Sequence, residues 1–87
     1  MIVSKVKTAF AETRIDGEIV LMNIDTGSFF ALKATGLAIW DLIGDANDRA
    51  SIIASLAAKY PVAPDQCEKE VDAFLIEIEK AGFVTLE

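Results

Sequence analysis

The chain of 87 residues is 53% hydrophobic, with two prolines, one cysteine, no histidine and a net charge of −6. That apolar content implies one packed domain, residues 1–87, rather than disorder. The missing histidine argues against a zinc centre and removes the commonest general base, and the acidic balance is the opposite of what phosphate binding needs.

Cys67 has no second cysteine to pair with, no stretch is long enough to span a bilayer, and Met1 to Ala11 lacks the apolar core of a signal peptide. A cytoplasmic protein with no membrane partner is the expectation. No serine sits in a nucleophile-elbow context, so no catalytic residue is assigned. The charge is unevenly placed. Residues 1–40 carry four acids and four bases, whereas residues 41–87 carry ten acids against Arg49, Lys59, Lys69 and Lys80. An acidic face of this kind keeps a small protein soluble or meets a basic partner, and the two uses are compatible.

In chain order, Val6 to Ile15 reads as a first strand, and Asp16-Gly17 as a two-residue hairpin turn with positive φ. The second strand, Glu18 to Ile24, is apolar at four successive positions from Ile19 to Met22, which predicts cover on both faces. Asp25-Thr26-Gly27 turns the chain into a third strand, Ser28 to Leu32. In meander order that third strand lies at an edge. Phe29 and Phe30 then project to opposite faces, one into the core and one into satellite packing or a binding surface.

Helical periodicity begins at Ala34 or Thr35, with Leu37, Ile39, Trp40 and Ile43 on the inner face and Gly44-Asp45 as the stop. Asp48 is the expected N-cap of a second helix with Ile52, Ile53, Leu56 and Tyr60 on one face, ended by Pro61. Pro64 opens a third helix that runs to about Ala81, with Gly82 beyond it. At 100° per residue, Cys67, Val71, Phe74, Ile78 and Ala81 share one arc, which is assigned to the core. Beside it lies a stripe of Glu68, Asp72, Leu75, Ile76 and Glu79. Either Ile76 is an ordinary exposed side chain, or Leu75 and Ile76 floor a groove with Asp72 and Glu79 on its rim. Cys67 reads as a small core residue. Carboxylate pairs on one helix face supply too few ligands for calcium or magnesium, and no glycine-rich phosphate cradle is present, so neither metal nor cofactor is expected.

The fold class expected is therefore α+β, a three-stranded antiparallel sheet followed by three helices in a winged helix-turn-helix-like arrangement. A DNA-reading helix should carry Arg, Lys, Asn or Gln on its exposed face. The third helix here is mostly acidic, which leaves a winged-helix transcription factor as an alternative by fold only.

The segment from Leu21 to Trp40 resembles the signature of the PqqD-like peptide chaperones, also called RiPP recognition elements. The family pattern is Leu-Leu-Asp-Leu-x-Thr-Gly-x-Tyr-Tyr-x-Leu-Asn-x-Thr-Gly-x-x-Ile-Trp. Leu21, Ile24, Thr26, Gly27, Phe29, Phe30, Leu32, Thr35, Gly36, Ile39 and Trp40 fall in register with it. Lys33 departs from the usual Asn, and both aromatics are Phe where Tyr is common. The likeness extends from about Ile15 to Leu86. It implies a non-catalytic adaptor that binds the leader segment of a ribosomally made precursor peptide and presents it to modifying enzymes.

In such a family the leader adds as a strand to the third strand and lies against the third helix. The contacts expected are Ser28, Phe29, Phe30, Ala31, Leu32, Asp72, Leu75, Ile76 and Glu79. Two pathways fit, lasso-peptide assembly with a leader protease and a macrolactam synthetase, or pyrroloquinoline quinone biosynthesis. The plain Thr-Gly-x-Phe-Phe strand is closer to the lasso type.

Overall fold

The computed structural model describes residues 1–61 and 63–87. Its elements are β1 (Ile2–Lys5), β2 (Phe10–Ile15), β3 (Glu18–Asn23), β4 (Phe29–Leu32), α1 (Ala34–Ile43), β5 (Ala46–Asp48), α2 (Arg49–Lys59), α3 (Pro64–Lys80) and β6 (Val84–Leu86). The antiparallel meander β2-β3-β4 followed by three helices is the arrangement anticipated from the turns and periodicity. A second small antiparallel sheet, β5-β1-β6, was not anticipated.

The turns form for local reasons. Asp16 and Gly17 both have positive φ, 49° and 78°, as a hairpin of two central residues with right-handed twist requires. At the next turn, the Asn23 side-chain oxygen accepts from the backbone N–H groups of Asp25 and Thr26 at 2.9 and 3.0 Å. Gly27 supplies a φ of 76°, and its N–H closes onto the Asn23 carbonyl at 2.8 Å. Asp48 caps α2 as expected, accepting from the Ala50 N–H at 2.9 Å. Lys33 precedes α1 without a side-chain cap, consistent with the loss of the capping Asn.

Two expectations need correction. The first strand does not begin at Val6, because the Ala9 N–H bonds the Val6 carbonyl in a tight turn. The residues before that turn leave the meander and become β1, the centre of the second sheet. Nor is β3 covered on both faces: Ile19 and Leu21 are fully buried, but Val20 and Met22 are half-buried on the outward face. An apolar run had suggested a strand in a two-sided core, yet this sheet carries its helices on one side only.

One core serves both sheets. Trp40, Ile39 and Ile43 of α1 meet Ile52 and Leu56 of α2, Cys67, Val71, Leu75 and Ile78 of α3, Ile19 and Leu21 of β3, and Val3 of β1. Phe83, immediately after α3, is fully buried between Phe10 and Phe30, with ring centroids 5.8 and 5.1 Å away in edge-to-face geometry. Trp40 packs edge-on against Phe10 and donates its Nε1–H to the Glu12 carboxylate at 2.7 Å. The indole's polar end is thereby satisfied.

This arrangement makes Phe83 a critical residue that no local pattern marks. Phe83→Ala should cost about 3–5 kcal/mol, because a buried aromatic is lost and a cavity remains. Phe29→Ala, on the outward face of the β2-β3-β4 sheet, should cost within about 0.5 kcal/mol. Urea denaturation followed by circular dichroism measures both, and equal losses would contradict this packing.

Candidate functional site

The functional candidate is the free edge of β4 and the flank of α3 beside it. In antiparallel ladders, directly opposed residues alternate between exchanging hydrogen bonds and pointing them outward. The Asn23 N–H bonds the Ser28 carbonyl at 2.8 Å, and the same register opposes Leu21 to Phe30 and Ile19 to Leu32. Those pairs therefore bond inward. Phe29 and Ala31, opposite Met22 and Val20, present their N–H and C=O groups to the open edge.

Most proteins blunt such an edge with Lys, Pro, a bulge or a covering element. Here the strand reads Phe29-Phe30-Ala31-Leu32, apolar and uncharged along its length. It is an unprotected template for another strand. Phe29 is 69% exposed on the outward face, while Phe30 turns inward against Phe83. Leu32 is buried, and Ala31 and Ser28 are exposed. All five sequence-predicted residues of this strand thus lie at one edge.

The α3 residues fall differently. Leu75 is 1% exposed and belongs to the core, not to a groove floor. Asp72 is not a free rim carboxylate. The Arg49 guanidinium donates to it twice, from Nε at 2.6 Å and from Nη2 at 2.7 Å, and also reaches Glu68 at 2.9 Å. Ile76 is 49% exposed on the side of α3 away from the core, and Glu79 is exposed on the Asp72 flank. The buried arc is Cys67, Val71, Leu75 and Ile78, so the helix is rotated by about 35° from the arc inferred from periodicity.

The opposite flank of α3 faces the start of α1 and, at its C-terminal end, the start of β4. The Phe74 ring lies against Gly36 at the start of α1, where a Cβ would come within 3.2 Å of it. Between the helices, Glu70 borders a depression of about 90 Å³ with Thr35, Leu56 and Tyr60. Near the N-terminal end of β4, Lys80 and Ala81 border one of about 210 Å³ with Thr26, Ser28 and Phe30. The Asn23 side-chain amide donates to the Ala81 carbonyl at 2.8 Å and ties that end of α3 to the sheet. Of these, Lys80 is the charged side chain beside Ser28 and Phe30 that sequence reasoning did not place at the site. Phe74 and Ala81 did mark the correct margin of the apolar arc, but acids on both flanks of the helix hid which one faced β4.

A larger depression, about 420 Å³, lies elsewhere, among Lys5, Lys7, Glu12, Arg14, Asp41 and Asp45. Its charges largely answer one another: Lys7 pairs with Asp45, and Arg14 with Asp41 and Glu12. Lys5 sits 4.1 Å over the Trp40 ring, where burial lowers its pKa. A self-neutralised cluster offers no net charge to a ligand, so the strand edge is the better site. Among the described residues no group of His, Cys, Asp and Glu side chains is placed to hold a metal ion, and no helix is long and apolar enough to cross a membrane.

The sequence model of the family described as Coenzyme PQQ synthesis protein D (PqqD) matches residues 18–84. The structure is similar to that of TbiB1 in complex with the TbiA(beta) leader peptide, with a TM-score of 0.84 and 28% identity, over 95% of this chain and 96% of that one. A second similar structure, lasso peptide synthetase B1 complexed with the leader peptide, has a TM-score of 0.77 and 20% identity, covering 90% and 92% of the two chains. At that identity it shows a shared fold alone. No curated protein sequence matches the chain.

The Arg49 pair makes a separate prediction about stability. Hydrogen bonds from Arg49, partly offset by desolvation, hold the Asp72 carboxyl below its ordinary 3.8. A depressed folded pKa contributes stability that is present above the unfolded value and lost as pH falls through the folded one. Asp72→Asn should lower the melting temperature at pH 7, and its deficit should shrink as pH falls below about 3.8. Thermal melts of both proteins from pH 7 to pH 2 test this; a deficit constant across that range would rule out the ion pair as its source.

Proposed function

The chain belongs to the PqqD family, and we propose that it is a non-catalytic adaptor that binds the leader segment of a ribosomally made precursor peptide. The observation that carries this reading is the open β4 edge, with N–H and C=O groups of Phe29 and Ala31 turned away from β3. An extended segment laid there would gain main-chain hydrogen bonds for affinity and side-chain depressions for selectivity. The likeness to TbiB1, which was solved with a leader peptide bound, supports a leader peptide as the ligand.

On this reading, binding needs no reaction, metal or cofactor from the adaptor, whose work is to hold the leader while a modifying enzyme acts beyond it. The enzyme partner would be a leader protease or a macrolactam synthetase of the lasso type, which the Thr26-Gly27-Ser28-Phe29-Phe30 strand favours over the quinone pathway. A cytoplasmic location accords with an unpaired, buried Cys67 and with a ribosomal substrate.

The leader should bind at about micromolar Kd or tighter, near −8 kcal/mol. Ala31→Pro removes a donor that β3 does not use, so the fold should survive and affinity should fall about tenfold or more. Phe30→Pro would instead break the β3–β4 ladder and lower stability. Fluorescence anisotropy with the labelled leader, alongside circular dichroism, separates these. An Ala31→Pro protein that is folded and binds as tightly as the parent would exclude strand addition.

A further inference from the structure

The edge of β4 is complementary to itself. Its outward hydrogen-bonding groups belong to Phe29 and Ala31, placed evenly about Phe30, whose own groups turn inward to β3. A two-fold axis at Phe30 would set each Phe29 opposite Ala31 of a second, antiparallel copy, and each such pair exchanges two hydrogen bonds. Moving the axis one residue either way calls on Gly27 or Lys33 instead. The Gly27 N–H is already bonded to the Asn23 carbonyl, and the Lys33 carbonyl already accepts from the N–H groups of Gly36 and Leu37. The register centred on Phe30 satisfies Phe29 and Ala31 with free groups alone.

Side chains and charges suit the same register. Directly opposed residues share a face, so each exposed Phe29 ring comes to lie beside the small Ala31 of the other copy. The strand itself carries no charge to resist this. Beyond its two ends the charges differ in sign, Asp25 before β4 and Lys33 after it. Antiparallel pairing brings the Lys33 end of each copy to the Asp25 end of the other. Lys33 is 67% exposed and pairs with Glu18 at 3.4 Å, and Asp25 has no ion pair among the described residues. The net charge of −6 on each copy opposes association, but at about 0.15 M salt it is screened beyond about 8 Å.

We propose that β4 pairs with β4 of a second copy, joining two meanders into one continuous antiparallel sheet with Lys33 of each copy beside Asp25 of the other. One edge cannot hold a peptide strand and a second copy at once, so self-pairing closes the site that the adaptor reading assigns to a leader. Self-pairing itself does not depend on that reading. So small a contact gives a weak dimer, with a Kd on the order of 0.1 mM.

Sedimentation equilibrium at about 0.15 M salt, over protein concentrations from about 10 µM to about 1 mM, brackets that Kd. The average mass should rise from 9.4 kDa toward twice that value. Ala31→Pro, checked for folding by circular dichroism, should stay at the lower mass, because each proline removes a donor from the junction. Asp25→Lys and Lys33→Asp each set like charges together at both ends, and each should weaken self-association about fivefold or more. An equimolar mixture of these two variants restores opposite charges at both ends and should associate about as tightly as the parent.

A parent protein that stays at 9.4 kDa throughout would overturn self-pairing and leave the adaptor reading intact, since a bound peptide need not match β4. Association unmoved by Ala31→Pro would put the interface somewhere other than this edge. A mixture no tighter than either variant alone would overturn the antiparallel two-fold register.

Discussion

Phe83 sits at the seam where both sheets and the end of α3 meet, its ring held between the edges of Phe10 and Phe30. Phe10 comes from β2, Phe30 from β4, and Phe83 itself leads into β6, which pairs with β1. Closing that aromatic stack sets how near α3 can approach the open strand. The Asn23 amide bonded to the Ala81 carbonyl pins the same junction through a polar contact. Groove width and strand position are thus consequences of core packing, not of the groove residues.

An open strand edge remains usable only if the rest of its sheet is secure. Here β3 is hydrogen bonded on both sides, and the hairpin turns at each end have the positive-φ geometry that matches strand twist. The second sheet draws together segments from the start, middle and end of the chain, with Ile2 and Glu87 exchanging backbone hydrogen bonds at 2.8 and 2.9 Å. It ties the ends of the helices to β1 and leaves the outer edge of β4 without a partner strand. The exposed aromatic Phe29 belongs to that same edge, so its exposure and the missing partner have one location.

The acidic excess of residues 41–87 has two distinct uses in the folded protein. On one flank of α3, Glu68 and Asp72 are absorbed by Arg49 and fasten α3 to the start of α2. On the other, Glu70 has no ion pair among the described residues and borders a depression with Thr35, Leu56 and Tyr60. Identical residue types thus have different surroundings on the two flanks of a single helix.

How much was legible from sequence follows the range of each signal. The turns at Asp16-Gly17 and Gly27, the cap at Asp48, Pro64 at the start of α3 and the edge position of Ser28 to Leu32 are local or follow from meander order, so the chain by itself determined them. The Leu21–Trp40 motif likewise carried the family. Short strands of three and four residues, assembled from Ile2–Lys5, Ala46–Asp48 and Val84–Leu86, have no periodicity to announce them and exist only as partners of one another. The face of α3 was equally undecidable, because acids flank its apolar arc on both sides and a wheel of residues carries no outside reference. Tertiary packing supplied that reference: Phe83, Asn23 and Arg49 turn Leu75 into the core and Phe74 toward Gly36, a rotation that buries the aromatic seam and satisfies the guanidinium together.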